Sequence, residues 1–331
     1  MPLKVLFIGG TGNISLPCVE AAARAGHRAT VFNRGASEAP PPPGVASVVG
    51  DMKNDAAYSR LGKAGFDVVC QFILFNPEQM ARDIETFSGV GQYIFISSAS
   101  TYEKPPRHPV ITEKTPTVNP YWTYSQNKIA CEAMLKSAKG ISWTIVRPSH
   151  TVRTILPTMF NEGDIVAHRM LEGRPVLVCG DGSTPWTLTR CEDFAPPFVG
   201  LFGKSAALGQ DFHITSDYAY TWDDIYRTMA AGLGVEADIA HVPTDTLVRY
   251  HPEWEGPLRG DKTWAALFDN AKVKRVAGDF AAASKLGDVL ANPVAHFKAR
   301  RQVGNRKTGD LDDLIDRIAR EQRSLGGPAA P

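Results

Sequence analysis

The chain has 331 residues, 43% hydrophobic and 21% charged, with 36 basic against 35 acidic residues and a net charge of +1. Those proportions suit a soluble globular enzyme of one large α/β domain or two lobes, and the balanced charge gives no general attraction to nucleic acid or an anionic membrane. Five cysteines, Cys18, Cys70, Cys131, Cys179 and Cys191, are scattered without a C-x-x-C pair, which argues against disulfides or a zinc site and fits a reducing cytoplasm.

The opening residues, MPLKVLFIGG, read as a strand, too short for a signal peptide, and no apolar run of about 18 residues follows anywhere. A glycine-rich turn comes next, then an Ala-rich helix and a second strand, in KVLFIGGTGNISLPCVEAAARAGHRATVFNRG. Gly9 and Gly12 let the backbone turn sharply and approach a pyrophosphate, while Asn13 and Ile14 open a helix whose free N–H groups and dipole favour an anion. The third glycine of the dinucleotide fingerprint is replaced by Ser15. That position normally serves helix–strand packing, so the phosphate-facing glycines keep their role.

At the end of the second strand an NAD site usually carries an acidic residue for the ribose diol, but this chain has Asn33 followed by Arg34. No carboxylate repels a 2′-phosphate there, and a guanidinium could bind one, which favours NADP(H) slightly over NAD(H). Arg34 could equally be an exposed turn residue. Asp51, after the third strand in VVGDMKN, could accept from the adenine amino group or cap a helix.

Apolar runs at Val5–Ile8, Ala29–Phe32, Ala46–Val49, Val68–Phe72, Tyr93–Ile96 and Trp143–Val146 predict buried parallel strands. Helices are expected between them, including Pro77–Phe87 and Ser125–Ala138. The fold class is therefore α/β, a Rossmann-type doubly wound parallel sheet with a smaller C-terminal α/β substrate lobe. After Pro148 the rhythm loosens and fewer strands are expected, though DFHIT (Asp211–Thr215) reads as one returning to the sheet. Thr221 with Asp224 three residues on marks a helix start. We assign residues 1–150 plus about 186–217 to the nucleotide-binding domain, and about 151–185 plus 218–331 to the substrate lobe. APPPPG (Ala39–Gly44) reads as a stiff surface loop, and the basic stretch Lys298–Lys307 as a solvated domain end.

Tyr124 and Lys128 stand at i, i+4 in PYWTYSQNKIACEAML, on one face of a helix. A tyrosine is a poor base at neutral pH, and a neighbouring ammonium favours its phenolate. Such a residue can exchange a proton with a substrate oxygen while hydride passes to or from a nicotinamide. Upstream, YIFISSASTY ends a strand in serines, where Ser98 could orient the reacting oxygen at the carboxyl edge of the sheet, or simply cap the strand.

The motifs GGTGNIS, GDMKN, SSASTY, PYWTYSQNK, WTIVRPSHT and GRPVLVCGDGSTPWTLTRCEDFA resemble the extended short-chain dehydrogenase/reductase superfamily, the NAD-dependent epimerase/dehydratase group, over nearly the whole chain. The resemblance implies a Ser98–Tyr124–Lys128 triad in which Lys128 also holds the nicotinamide ribose. Ala99 and Ser100 stand where 4,6-dehydratases of this family carry an acidic pair, which disfavours dehydration. RPSHTVRT replaces the family's Asn and Tyr-Gly-Pro elements after RP, and Pro185 and Trp186 stand in place of the arginine after GDG. The usual nucleotide-sugar recognition is therefore in doubt. GPLRGDKTWAALFDNAKVKR is similar to members found beside plant chloroplast RNA-binding relatives and says little about chemistry.

Ser100, His150, Arg153, Trp186 and Arg190 are the substrate-side candidates, with Trp186 equally a core residue and Arg190 equally half of an ion pair. The histidines lack ligand spacing, so no metal is expected. The expected activity is NAD(P)-dependent hydride transfer at a secondary alcohol or ketone of a sugar or sugar-like small molecule. The enzyme would be a dehydrogenase, a reductase or an epimerase, a 4-epimerase of nucleotide sugars included, with a possible homodimer and no nucleic-acid or membrane partner. The opposing reading is a nucleotide-sensing or RNA-binding protein on the same fold.

Overall fold

Four consecutive side chains, Val5 to Ile8, have no solvent exposure, which requires a strand covered on both faces. In the computed structural model, which describes residues 1–35, 40–301 and 309–325, they form an interior strand of a seven-stranded sheet. Ala39 and residues 302–307 of the basic stretch lie outside the described residues.

The first half alternates β1 (Lys4–Ile8), α1 (Ser15–Arg24), β2 (Arg28–Asn33), β3 (Ala46–Val49), α2 (Asp55–Gly62), β4 (Val68–Gln71), α3 (Pro77–Thr86), β5 (Gln92–Ile96), the short β6 (Val110–Ile111), α4 (Thr123–Ser137) and β7 (Trp143–Pro148). The second half continues with β8 (His150–Val152), α5 (Ile165–Leu171), β9 (Val176–Cys179), β10 (Pro185–Trp186), β11 (Leu188–Arg190), α6 (Cys191–Gly200), β12 (Gln210–Ile214), β13 (Tyr220–Thr221), α7 (Trp222–Leu233), β14 (Ile239–Val242) and α8 (Thr244–Tyr250). The short α9 (Glu255–Pro257) runs into a π-helical turn at Leu258–Lys262, followed by β15 (Leu267–Phe268), α10 (Ala271–Ala277), α11 (Leu286–Arg301) and α12 (Asp310–Leu325).

The main sheet has the order β12-β7-β5-β4-β1-β2-β3, and every pairing is parallel. Alternation along β1 builds its two cores. Val5 and Phe7 meet Val19 and Ala22 of α1 and Phe198 of α6, whereas Leu6 and Ile8 meet Tyr58 of α2, Met80 of α3 and Leu135 of α4. This is the doubly wound Rossmann arrangement. β3 departs from the expected burial: among the described residues it is an edge strand paired only with β2, and Val49 is 69% exposed.

The second half holds more strands than its irregular sequence suggested, in two-stranded pairs such as β9–β14 and β8–β11. A third core around Trp186, Trp222, Tyr226 and Met229 binds these pairs to α7, α11 and α12. Thr221 accepts the Asp224 N–H at 3.0 Å, so α7 begins where the Thr–Asp spacing predicts. Among the described residues no helix is long and apolar enough to cross a membrane.

α4 is held in place by charge. Arg147 of β7 donates to Glu132 at 2.8 and 2.5 Å and to Asp211 at 2.9 Å, and Ser97 donates to Glu132 at 2.6 Å. A buried carboxylate that accepts three hydrogen bonds, from Arg147 and Ser97, fixes both the rotation and the height of the helix. Glu132 lies one turn beyond Lys128, so the same clamp aims the lysine.

Candidate active site

The glycine turn is shaped by close approach. Gly9 has φ +79, and a Cβ there would lie 2.5 Å from Ile73 Cγ2, so only glycine fits. At Gly12 an added Cβ would meet Ser15 Oγ at 3.2 Å and otherwise only the Gly9 carbonyl oxygen at 3.8 Å. The protein itself hardly needs that glycine; its bareness leaves room for a phosphate to come close. Ser15 does more than fill a gap. Its hydroxyl accepts the Gly12 N–H at 2.8 Å and donates to the Gly9 carbonyl at 2.6 Å, so it braces the turn from below.

A cavity of about 630 Å³ opens beside this turn. Gly9, Gly12, Asn33, Arg34, Asp51 and Lys53 are among its walls, with Phe75 and Gln79 further along. Arg34 and Lys53 are exposed at its rim. Asn33 spends its carbonyl oxygen on the Gly35 N–H at 2.9 Å, and Asp51 spends Oδ1 on the Lys53 N–H at 2.9 Å. The residues present thus fit a dinucleotide: a bare phosphate turn, a long cleft, and two cations with, among the described residues, no free carboxylate at the second strand's end.

Lys128 sits between this cleft and a second one. It is 1% exposed and donates from Nζ to the carbonyl of Leu74, beyond β4, at 2.7 Å and to that of Ile96, the last residue of β5, at 2.8 Å. Nζ lies 4.9 Å from the ring centroid of Phe75 and 5.8 Å from that of Tyr124, which line the two clefts respectively. Burial pushes the Lys128 amine down to about 7, with Cys131 and Glu132 pulling the other way. Burial raises the Tyr124 phenol above its usual value, a hydrogen bond from Ser98 lowers it, and the Asp261 carboxylate raises it again.

Three serine hydroxyls form a chain behind the tyrosine. Ser98 and Ser100 Oγ atoms are 2.9 Å apart, and Ser125 donates to Ser100 Oγ at 2.7 Å. The Ser100 N–H also donates to Ser98 Oγ at 3.1 Å. With these donors supplied from behind, the Ser98 proton is free to point forward to Tyr124.

The second cavity, about 270 Å³, is lined by Ser98, Ser100, Tyr124, His150, Trp186 and, beyond the residues singled out by sequence, Trp122, Asn161, Lys104, Asp261 and Lys262. Trp186 is buried and donates from Nε1 to His150 Nδ1 at 3.0 Å. Burial, then the charge of Lys262, pushes His150 down to about 3, so its imidazole is neutral. Asn119 donates at 2.7 Å to the carbonyls of both Ser100 and Gly260, tying the serine cluster to the π-turn. Among the described residues no group of three or more His, Cys, Asp or Glu could hold a metal ion.

Known proteins share parts of this sequence and its fold. Residues 9–154 match the family model described as NAD(P)H-binding. Residues 9–154 therefore carry an NAD(P)H-binding domain. Among curated proteins it is 26% identical over 333 residues to 2'-dehydrokanamycin reductase of Streptomyces kanamyceticus, covering 98% of this chain and 93% of that one. It is 29% identical over 265 residues to the Chloroplast stem-loop binding protein of 41 kDa b of Arabidopsis thaliana, covering 76% of this chain and 66% of that relative, just short of two thirds of its length. In fold it is similar to the Bordetella bronchiseptica enzyme WbmH in complex with NAD+, with a TM-score of 0.71 and 16% identity over 90% of this chain and 99% of that one. UDP-glucose 4-epimerase from Bifidobacterium longum, solved with NAD+ and UDP, gives a TM-score of 0.70 at 18% identity over 91% of this chain and 100% of that one.

Within this Rossmann-type fold, not every residue singled out by sequence faces a cleft. Asn13, expected at the cofactor, instead accepts from the Thr154 N–H and hydroxyl at 3.3 Å and donates to Cys191 Sγ at 3.7 Å. Ile14 packs against the α1–α6 core. Arg153 and Arg190, expected at the substrate, do not line the smaller cavity: both approach Glu192, at 4.0 and 3.9 Å, and Arg190 also lies 3.8 Å from Asp193. The acid that claims Arg190 stands two residues along the chain, a signal available in the sequence. Lys53 could likewise have been found there, beside Asp51 in GDMKN. Lys104 and Lys262 carry no local pattern that reveals them.

Proposed function

We propose that the protein is an NAD(P)-dependent oxidoreductase acting on a secondary alcohol or ketone of a small sugar-like molecule, as a reductase, a dehydrogenase or an epimerase. The observation that carries this reading is the position of Lys128, buried between the glycine-turn cleft and the cavity that Ser98 and Tyr124 line. A bound nicotinamide would supply or accept the hydride. The chain's own part is the proton: Tyr124 holds or releases it at the phenol oxygen, and Ser98 orients the oxygen that receives it. Lys128, whose amine burial brings to about 7, presents a donor toward the cofactor cleft and shares its proton with the site near neutral pH. Gly9, Gly12 and the start of α1 hold the pyrophosphate, and Arg34 with Lys53 selects NADP(H) over NAD(H) by pairing with a 2′-phosphate.

The test is Tyr124→Phe, assayed with a panel of sugars, polyols and the matching ketones by following NADPH. Turnover should fall by roughly a thousandfold, within the range expected for loss of a general acid–base, while NADPH affinity stays within about threefold of the parent protein. Undiminished turnover would sink the assignment. A second reading, RNA binding, draws support from the likeness to the stem-loop binding protein. It requires RNA affinity that survives this substitution, and the near-neutral charge speaks against it.

A further inference from the structure

Lysine is almost never fully buried without a partner, because removing an ammonium from water is costly. The smaller cavity nevertheless has two such lysines in its wall. Lys104 is 4% exposed and Lys262 5%. Elsewhere in the protein, buried cations are tightly satisfied: Arg147 reaches Glu132 at 2.5 Å and Arg169 reaches Asp312 at 2.8 Å. Here Lys104 Nζ stops 3.9 Å from Asp261 Oδ1, too far for a hydrogen bond. Lys262 Nζ makes no hydrogen bond among the described residues and lies 5.9 Å from the Trp122 ring centroid.

Within the cavity wall the acids do not match the pair. Asp261 is the one carboxylate among the residues lining the cavity, set against two ammonium groups. Glu162 opposes the Lys262 charge from behind the wall, but it does not line the cavity and makes no hydrogen bond to Lys262 among the described residues. His150 is neutral. Burial weakens the hold of both lysines on their protons, with Asp261 opposing that in each.

The scaffold under these lysines is rigid. A Cβ on Gly256 would lie 2.4 Å from the Trp122 ring, and one on Gly260 would lie 2.8 Å from Trp122 Cβ. Both glycines are therefore needed for the π-turn to dock on the indole, and Asn119 locks Gly260 to Ser100. A π-helical turn of this kind often marks a functional site.

We propose that Lys104 and Lys262 form a receptor for an anionic group of the substrate, a carboxylate or a phosphate, opposite the reacting alcohol or ketone. This rests on the reading that the cavity beside Tyr124 takes the substrate. At about 270 Å³ the cavity falls just below the range of about 300–1,000 Å³ that holds drug-sized ligands, so it accepts a monosaccharide-sized acid or phosphate rather than a whole nucleotide sugar.

The test is calorimetric binding to the full-length Tyr124→Phe protein with NADP+ present, using gluconate, glucose 6-phosphate and neutral glucose. With turnover removed, the readout is binding alone. At least one anionic probe should bind tenfold or more tightly than glucose, and which one does identifies the group. Lys262→Met and Lys104→Met should each reduce that advantage at least tenfold, and Lys262→Arg should restore part of it. Equal affinity for the three probes, no binding by any of them, or an advantage untouched in both methionine variants would overturn the receptor. If Lys262→Met fails to fold, Lys104→Met and Lys262→Arg still decide. Failure of the Tyr124 assignment would appear separately, as turnover persisting in Tyr124→Phe while the anion preference stands.

Discussion

Trp186 donates its indole N–H to His150 Nδ1 at 3.0 Å, which leaves the neutral ring carrying its proton on Nε2. A histidine fixed this way does not titrate where most histidines do. Its folded value near 3 lies below the unfolded value of about 6.5. Between those limits the unfolded chain binds a proton that the folded chain refuses, so stability is flat above about pH 6.5 and falls as pH drops below it. The loss from this group alone is on the order of 2 kcal/mol at pH 5. His150→Gln should flatten that part of the curve, measured as thermal midpoints at pH 5 and pH 7. A wild-type slope in the variant would mean that other groups control the acid limb.

Arg34 and Lys53 make a second prediction. Both border the larger cavity, and the carbonyl oxygen of Asn33 is occupied by Gly35. Arg34→Ala and Lys53→Ala should each weaken NADPH binding about tenfold, as expected for one charge-assisted contact. NADH affinity should change less than about threefold, a bound set by the same contact being absent. Parallel loss for both dinucleotides would show that the cations do not face the 2′ position.

Ser15 gives a counter-intuitive test. Ser15→Gly completes the fingerprint of three glycines yet removes the hydroxyl that holds Gly12 N–H and the Gly9 carbonyl. We expect NADPH affinity to fall roughly three- to tenfold, the equivalent of about one hydrogen bond. Tighter binding in the variant would mean that the brace plays no part.

Ser125 does not line the cavity but donates to Ser100, which in turn meets Ser98. Ser125→Ala should lower kcat about tenfold with KM nearly unchanged, because it acts through the Ser98 orientation rather than through substrate affinity. Ser125→Thr should recover most of the loss. A matching rise in KM, or no recovery by threonine, would point to local repacking instead.

Much of this was readable from residues that are close in sequence. β1, β4 and β5 announce themselves as apolar runs, and the Tyr124–Lys128 spacing needs only a helix to become a pair. β3 has the same apolar look, yet its place at the sheet's edge, which no local pattern encodes, leaves it exposed. Lys262 was hidden for a related reason: its role depends on Lys104 and Tyr124, more than a hundred residues earlier, being folded into the same wall. Arg153 and Arg190 misled because a cation near a cleft looks alike whether it awaits a ligand or is held by Glu192.

Asn13 has a kinetic consequence. Its single amide joins the glycine turn to Thr154 on one side and Cys191 on the other, residues that follow β8 and open α6. Whatever settles onto the turn therefore also settles the segments that lead into the second half of the chain. Under the proposed function this link would make dinucleotide binding precede substrate binding, which product-inhibition patterns would check.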